Sequence, residues 1–185
     1  MFLLHNTQLT LPETKRISTH FSTVFMKAND FFLTEGKSVA KIGFMIKGMM
    51  RGFVVDTNGK TSIKHFVQPN QFFSDFDGYY YGKLSGTSVQ AVKRCKLLTI
   101  SFSELEQLKK EIPGMEAAIR QFGELSLMNI VKAHDVWLTG SSADQYDSFK
   151  NHYPEIAHYL PLKDIAAFLR IQPSSLSRIR RNPRH

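Results

Sequence analysis

Glycine recurs at short intervals between residues 36 and 86, and this spacing constrains the fold more than any other feature of the chain. The stretches between and just after these glycines are rich in Val, Ile, Phe and Met: residues 42–46, 49–55, 61–67, 87–92 and 97–100. Short apolar stretches separated by turn residues are typical of an antiparallel β-barrel or jelly roll. The clearest hairpin is predicted at residues 56–60, because Asn58 and Gly59 both tolerate the positive φ of a tight turn. Residues 1–30 contain few turn signals and are predicted to be partly helical.

The pattern changes from strands to helices after residue 100. Residues 103–108 predict a short helix with Ser103 as its N-cap, and Pro113-Gly114 interrupts the chain. Residues 115–138 then predict a helix of roughly 36 Å. Its apolar residues, three or four apart, are placed on one face: Met115, Ala118, Ile119, Phe122, Leu125, Met128 and Val131. This stripe favours pairing with a second copy of the chain, and the alternative is packing against its own barrel.

Residues 139–142 predict a hinge after the long helix, because Gly140 ends a helix readily. Ser142 and Gln145 are three residues apart, as in a capping box that starts the next helix. The sequence therefore divides into an N-terminal barrel (residues 1–112), a long helix (113–139) and a C-terminal module (140–185).

Residues 162–181 predict two short helices joined by a turn, which is the pattern of a helix-turn-helix. The first helix spans residues 162–169, and residues 170–172 form the turn. Pro173 suits the first position of the second helix, where its missing N–H costs nothing. Leu176 and Ile179 are predicted to anchor that helix in the core.

The second helix carries side chains that suit DNA recognition. Residues 161–185 contain six basic residues and one acidic residue, which points to a polyanion as partner. Arg178 is predicted to read a base edge, with Ser174 and Ser175 as secondary candidates. Arg180, Arg181 and Lys163 are predicted to contact phosphates. The alternative is a helical hairpin whose basic face is only solvated.

With these parts in this order, the chain resembles the cyclic-AMP receptor / fumarate-nitrate regulator (Crp/Fnr) superfamily. The resemblance rests on three segments: Phe44 to Gly48 with Asp56 to Lys60, Cys95 to Ser101 before the helices, and Leu162 to Leu169 followed by Ser175 to Arg180. It implies an α+β chain with an N-terminal antiparallel jelly-roll barrel of the cyclic-nucleotide-binding type, a long dimerisation helix, and a C-terminal helix-turn-helix domain. It further implies a homodimer that binds double-stranded DNA and regulates transcription.

The chain departs from this family at the nucleotide pocket. Ser74-Asp75 stands where the family has a Gly-Glu pair, and Ser85-Gly86 stands where it has the Arg-Ser pair that neutralises the cyclic phosphate. Without a guanidinium, a buried phosphate would be poorly paired, so we expect an effector other than cyclic AMP. The pocket candidates are Phe73, Ser74, Asp75, Ser85, Gly86 and Thr87. The aromatic residues nearby favour either a pocket for a planar or apolar ligand or a filled barrel core; they are Phe72, Phe73, Phe76, Tyr79, Tyr80 and Tyr81.

Two further departures concern the C-terminal module. Arg170 stands at a turn position where the family often has glycine, which costs about 1 kcal/mol if φ is positive there. The sequence also ends at His185, so we expect the family's β-hairpin wing to be absent and DNA binding to depend strongly on salt.

Composition and the absence of certain motifs argue against disulfides, membrane spans, metal sites and enzymatic activity. A single cysteine, Cys95, excludes a disulfide or a cysteine-ligated cluster within one chain, and no apolar run of about 18 residues predicts a membrane span. We expect a cytoplasmic protein. The seven histidines form no metal-binding motif and no nucleotide-hydrolase or serine-hydrolase motif is present, so we expect no cofactor, no metal and no enzymatic activity. The alternative function is a small-molecule-binding or metal-dependent, cupin-like barrel with a degenerate DNA-binding module.

Overall fold

A computed structural model describes residues 7–138 and 140–182 of the chain. Its contacts divide these residues into two compact units. One unit takes in the described residues up to Gly52 together with Phe66–Leu127. The other takes in Phe53–His65 together with the described residues from Met128 onward.

Eight short strands form two four-stranded sheets. They are β1 (Ser22–Met26), β2 (Phe31–Leu33), β3 (Lys41–Lys47), β4 (Met50–Val55), β5 (Thr61–Val67), β6 (Phe72–Phe73), β7 (Ser88–Ala91) and β8 (Cys95–Ser101). The strand orders are β1-β8-β3-β6 and β2-β7-β4-β5. β8 pairs antiparallel with both β1 and β3, and β2 pairs antiparallel with β7. The predicted antiparallel jelly roll is confirmed.

The N-terminal segment contains both a helix and a strand. Helix α1 (Leu11–Thr19) begins in a capping box between Thr10 and Glu13, as the prediction of partial helix requires. β1 was not predicted, although its residues alternate between the barrel interior and the outer face. The signal for β1 was weak because a five-residue alternation without flanking glycines is easily mistaken for part of a helix.

The predicted hairpin at residues 56–60 forms with a different turn geometry. Only Gly59 has a positive φ, of 77°, whereas Asn58 does not. The Gly59 N–H donates to the Asp56 carbonyl at 2.9 Å, and the Asp56 N–H donates to Lys60 O at 3.1 Å. The turn is therefore a longer one that needs one left-handed residue rather than two, which is common in hairpins.

The interior of the jelly roll is filled by apolar side chains. They are Met26, Leu33, Met45, Met50, Val67, Phe73, Val89, Ala91, Cys95 and Leu97. The Phe73 ring lies against Gly43, where an added Cβ would approach it within 2.5 Å, so only glycine leaves room for the ring. Phe73 also contacts Phe32, with ring centroids 4.7 Å apart. Phe73 therefore belongs to the core.

A second core lies on the outer face of the β1-β8-β3-β6 sheet. Ile42 and Ile100 project from that face and pack against α1, helix α3 (Phe102–Glu111) and the start of helix α4 (Met115–Leu138). Met115 and Ala118 of α4 are buried there, and Ile119 and Phe122 are partly buried. The first half of the long helix therefore packs on its own barrel.

The predicted apolar stripe of α4 does not lie on one face. Leu125, Met128 and Val131 are exposed, with 54% of Met128 and 55% of Val131 accessible. Three residues advance a helix by about 300°, about 60° short of a full turn, so successive steps of three wind around the axis. The later residues thus turn away from the side that packs on the barrel, and α4 has two separate apolar faces.

Two helices begin at residues other than those predicted. Helix α3 begins after Ser101, whose hydroxyl accepts from the Glu104 N–H while the Glu104 carboxylate accepts from the Ser101 N–H. Ser103 is not the cap; its hydroxyl lies 3.0 Å from that of Ser101. Helix α5 (Ser142–His152) likewise begins after Ser141, which forms a capping box with Asp144. The predicted box between Ser142 and Gln145 is therefore wrong by one residue. In the hinge, Gly140 has a φ of 36°, and Thr139 lies outside the described residues.

The C-terminal helices share a small aromatic core. After α5 follow α6 (Pro154–Tyr159), α7 (Leu162–Leu169) and α8 (Pro173–Arg181). Phe149 and Phe168 are fully buried, with ring centroids 5.5 Å apart, and Tyr153 meets Phe168 edge-on. Burial raises the pKa of the Tyr153 phenol to about 12. Among the helices that the structure describes, none has the length and apolarity to cross a membrane.

The capping box of α3 gives a direct test of this arrangement. Replacing Ser101 with Ala leaves the first-turn N–H of Glu104 without its acceptor, so we expect the free energy of unfolding to fall by about 1 kcal/mol. Ser103→Ala is the matched control, because it removes a neighbouring hydroxyl and keeps the box. Urea denaturation of both variants measures the difference; equal losses would contradict the assignment of Ser101 as the cap.

Candidate functional site

Helices α7 and α8 are joined by a tight turn whose geometry depends on Arg170. Arg170 adopts φ 57° and ψ 31°, the left-handed conformation. Its N–H and that of Ile171 both donate to the Ala166 carbonyl, which closes the end of α7 as in a Schellman motif. Pro173 follows at the first turn of α8. The predicted helix–turn–helix arrangement of residues 162–181 is confirmed.

Small and apolar residues hold α8 against the rest of the module. Ala166 is fully buried, which allows close approach of the neighbouring backbone, and Leu176 inserts into the core as predicted. Ile179, the second predicted anchor, is only half-buried. α8 is therefore fixed mainly through Leu176, which leaves its opposite side to solvent.

The exposed side of α8 holds the residues predicted to bind DNA. Ser174 is exposed near the N-terminal end, and Ser175 is half-buried. The arginines Arg178, Arg180 and Arg181 are all exposed and form no ion pair with any residue that the structure describes. Lys163, on α7, is also exposed. The module thus presents a short helix with hydroxyls at its start and three unpaired guanidinium groups toward its end.

In the barrel, the carboxylate of Asp75 joins two segments that the sequence predicted to line a pocket. Its Oδ1 accepts from the N–H groups of Asp77 and Gly78 and so caps the short helix α2 (Phe76–Tyr81). Its Oδ2 accepts from the Ser85 hydroxyl and from the Gly86 N–H, each at 3.0 Å. Ser85 is buried, and its hydroxyl oxygen also lies 2.8 Å from the Thr87 carbonyl oxygen, so its single hydrogen is shared between that carbonyl and Asp75. Four donors therefore converge on one carboxylate.

The other predicted pocket residues do not join this cluster. The Ser74 hydroxyl donates to the Lys41 carbonyl, and Phe73 lies in the core. Among the aromatic residues, Phe72 faces the outer core and Phe76 is exposed. The rings of Tyr79, Tyr80 and Tyr81 contact each other in turn, with centroids 4.7 Å and 6.4 Å apart. Tyr79 packs on Phe102, with ring centroids 4.7 Å apart.

A shallow groove of about 370 Å³ lies beside α2, and the sequence analysis missed it. It is lined by Tyr79, Tyr80, Phe102, Ser103, Glu106 and Lys109. The Tyr79 hydroxyl donates to Glu106, and Lys109 pairs with the same carboxylate at 3.1 Å. Partial burial and the Glu106 carboxylate raise the pKa of Tyr79 to about 12. The spacing of Glu106 and Lys109 on α3 was the available signal, but nothing in the sequence placed Tyr79 beside them.

The described histidines and Cys95 bear on whether the chain could hold a metal ion. Among residues 7–138 and 140–182, no three His, Cys, Asp or Glu side chains come together in a way that would hold an ion. Loss of hydration lowers the pKa of the half-buried His65 imidazole. Burial raises the pKa of the Cys95 thiol, as expected for a residue that packs in the barrel core.

Residues 23–111 match the family model of the cyclic nucleotide-binding domain. The c-di-GMP-responsive global regulator CLP of Xanthomonas campestris superimposes with a TM-score of 0.73 at 12% identity, over 93% of this chain and 90% of that one. A transcriptional regulator from Eubacterium rectale assigned to the Crp/Fnr family gives a TM-score of 0.70 at 12% identity, over 94% and 82% of the two chains. The chain has the Crp/Fnr fold.

The same fold is shared with the catabolite activator protein of Thermus thermophilus, with a TM-score of 0.57 at 16% identity over 98% of this chain and 85% of that one. No curated protein matches the sequence at a significant level. The resemblance to the Crp/Fnr superfamily is confirmed at the level of the fold, and the barrel is of the cyclic-nucleotide-binding type.

Within the Crp/Fnr fold, two local features of this chain follow from its own residues. Arg170 adopts the positive φ for which glycine is favoured, at a cost of about 1 kcal/mol. The two pairs that the resemblance placed in the nucleotide pocket, Ser74-Asp75 and Ser85-Gly86, are hydrogen-bonded to each other through Asp75. The donors of the second pair are therefore already occupied by a carboxylate of the protein.

The role of Asp75 in holding the two segments can be measured by its removal. Asp75→Ala leaves four donors without their acceptor, so we expect the free energy of unfolding to fall by about 2–3 kcal/mol. Asp77→Ala removes an exposed carboxylate two residues away, whose ion pair with Lys83 is a long one of 3.8 Å, and we expect a loss below about 1 kcal/mol. Chemical denaturation measures both losses of unfolding free energy. If Asp75→Ala lost no more than Asp77→Ala, Asp75 would not be holding the two segments together.

Proposed function

We propose that the chain is a dimeric, DNA-binding transcription regulator of the Crp/Fnr type, without enzymatic activity, that acts in the cytoplasm under an effector other than cyclic AMP. Its domains are a sensor barrel (residues 1–112), a dimerisation helix (113–139) and a DNA-binding domain (140–185). The observation that carries this proposal is the exposed face of α8, the second helix of a helix-turn-helix, whose three arginines pair with no acidic residue among those the structure describes.

The exposed residues of α8 have distinct roles in this proposal. The second helix of such a motif enters the major groove with its N-terminal residues toward the base edges. Arg178 extends into the groove and reads guanine through its paired N–H groups, and Ser174 and Ser175 supply shorter contacts to bases or phosphates. Arg180, Arg181 and Lys163 bind phosphates, which adds affinity without sequence preference.

The second half of α4 supports the proposed dimer. Leu125, Leu127, Met128 and Val131 are exposed large apolar side chains within two turns of one helix. A contiguous apolar face of this kind is favourable only when another surface covers it. In a symmetric pair of α4 helices the same residues on both copies would face each other, which is the geometry of a two-fold dimer.

The state of the Asp75 cluster supports an effector other than cyclic AMP. The Ser85 hydroxyl and Gly86 N–H, which would face a phosphate in this frame, donate to a carboxylate instead. A cyclic phosphate would have to displace that carboxylate and then lie beside it without a guanidinium, so like charges would oppose its binding. CLP, which shares the fold, is a c-di-GMP-responsive regulator, so the fold accommodates effectors of different chemistry.

Contacts within the barrel unit offer a route from the sensor segment to the long helix. The Phe72 ring lies 4.8 Å from that of Phe122 on α4. Lys109, paired with Glu106, also lies 3.9 Å from Glu116 of α4. In this proposal, occupation of the barrel changes these contacts, shifts α4, and reorients the DNA-binding domains through the hinge at residues 139–142. Such a switch is a shift between two populated arrangements and requires a ligand that prefers one of them.

Selection of bound sequences from a pool of random duplexes tests DNA recognition. We expect enrichment of a two-fold symmetric site, and Arg178→Ala should weaken binding to it by about 1–3 kcal/mol and relax the preference at one base pair of each half-site. Arg120→Ala, which removes an exposed arginine of α4, is the control and should leave both unchanged. Binding without sequence enrichment, or an unchanged base preference in Arg178→Ala, would contradict base recognition by Arg178.

Charge placed on the exposed half of α4 tests the dimer. In Met128→Asp/Val131→Asp, an interface would bury unpaired carboxylates, so we expect the protein to sediment as a monomer at micromolar concentration. Leu84→Asp is the control, because Leu84 is exposed to a similar extent, 60%, on the barrel. Analytical ultracentrifugation measures both; a wild-type monomer, or a dimer in the double variant, would rule out pairing through this face.

A further inference from the structure

Three turns meet at one end of the jelly roll and are joined by hydrogen bonds. The Asn29 N–H donates to the Ala91 carbonyl at 2.8 Å, and the Ala91 N–H donates to Asp30 O at 2.9 Å. The Val92 N–H donates to Met49 O at 2.9 Å, and the Cys95 thiol donates to the same carbonyl at 3.3 Å. The segments 27–30, 47–49 and 92–96 therefore form one continuous surface, here called the basic end.

The basic end carries five cations: Lys27, Lys47, Lys93, Arg94 and Lys96. The one carboxylate in these segments, Asp30, accepts a hydrogen bond from the backbone N–H of Lys27. Lys27, Lys47, Arg94 and Lys96 are exposed and form no ion pair with any residue in the described part of the chain. The positive charge of this surface is thus not balanced within the barrel.

Two of these cations face each other across neighbouring strands. Lys47 of β3 is directly opposite Lys96 of β8, and on the other side of Lys96 lies Phe25 of β1. The Lys96 ammonium is 5.9 Å from the centre of the Phe25 ring. Like charges directly opposite in a sheet destabilise it, so this pair carries a cost that the barrel itself does not offset.

Apolar surface accompanies the charge. The Phe25 ring of β1, beside Lys96, is 71% exposed, and Ile46, next to Lys47 in β3, is 38% exposed. A contact that both neutralises the lysines and covers Phe25 would remove two unfavourable features of the free protein at once. This combination defines the kind of partner that fits.

We propose that the basic end is a docking surface for an acidic segment of another protein, one that carries an apolar side chain between its carboxylates. The carboxylates bind Lys47, Lys96 and Arg94, and the apolar side chain covers Phe25. A DNA backbone would satisfy the cations and leave Phe25 in water. A lipid surface would require apolar groups that project from the turns, whereas Phe25 and Ile46 lie within strands. None of these residues belongs to α8, so the proposal does not depend on DNA binding by the C-terminal module.

The test uses the full chain and a fluorescent synthetic peptide of alternating Glu with Phe and Leu, measured by anisotropy at low and moderate salt. The same peptide with Gln for Glu, a random DNA duplex in the Arg178→Ala background, and phosphatidylserine vesicles serve as comparison probes. We expect the acidic peptide alone to bind through the basic end. Lys47→Glu/Lys96→Glu should weaken it by about tenfold or more, since each exposed pair contributes a few-fold, and Phe25→Ser should weaken it also.

Lys41→Glu is the matched control, because Lys41 is an exposed lysine at the opposite end of β3, and it should change binding by less than about twofold. Lys96→Glu alone separates binding from folding. It replaces a facing pair of like charges with opposite charges, so it should melt no lower than the wild type and still bind the peptide more weakly. Failure of the acidic peptide to bind the wild type overturns the proposal. Equal peptide binding by Lys47→Glu/Lys96→Glu and the wild type also overturns it. The proposal is likewise wrong if the double variant keeps peptide binding and instead loses binding to the DNA duplex or to the vesicles.

Discussion

The contact between the Phe72 ring and Phe122 joins the barrel to helix α4, which leads out of it. Phe72 follows the turn into β6 and lies against both Phe44 of β3 and Phe122 of α4. The next residue along, Phe73, points the other way and fills the barrel interior against Gly43. Because neighbouring residues of a strand face opposite sides, this two-residue strand fixes the inner core and the outer core together. The Asp75 cluster follows it immediately.

Helix α4 does two different things along its length because its apolar residues wind around the axis. Up to Phe122 it completes the outer core with α1 and α3, whereas Leu125, Leu127, Met128 and Val131 are exposed. A helix that packed on the barrel throughout would have no surface to offer a second chain. One that left the barrel at its start would lose its connection to the sensor segment. The change of face near residue 125 allows both, and the proposed function depends on it.

The carboxylate of Asp75 and the left-handed Arg170 are both departures from what the family resemblance led us to expect of a nucleotide-regulated protein. Each has a physical consequence in this chain. Asp75 accepts from four donors within the protein, which ties residues 75–78 to Ser85 and Gly86. The left-handed conformation of Arg170 costs about 1 kcal/mol, and it allows α7 to end and α8 to begin within three residues.

The sequence by itself determined the order of the parts and their local types. Glycine spacing predicted the short strands, Pro113-Gly114 marked the start of the long helix, and Pro173 with Leu176 fixed the second helix of the C-terminal module, because these signals act on neighbouring residues only. Strands β1, β2 and β6 escaped prediction because they are short and depend on partners distant in sequence. Only the tertiary structure decided which face of α4 packed on the barrel, that Asp75 reached Ser85 and Gly86, and that Lys47 faced Lys96. Each of these is a contact between segments that folding brings together, and its energy depends on distances that no local pattern encodes.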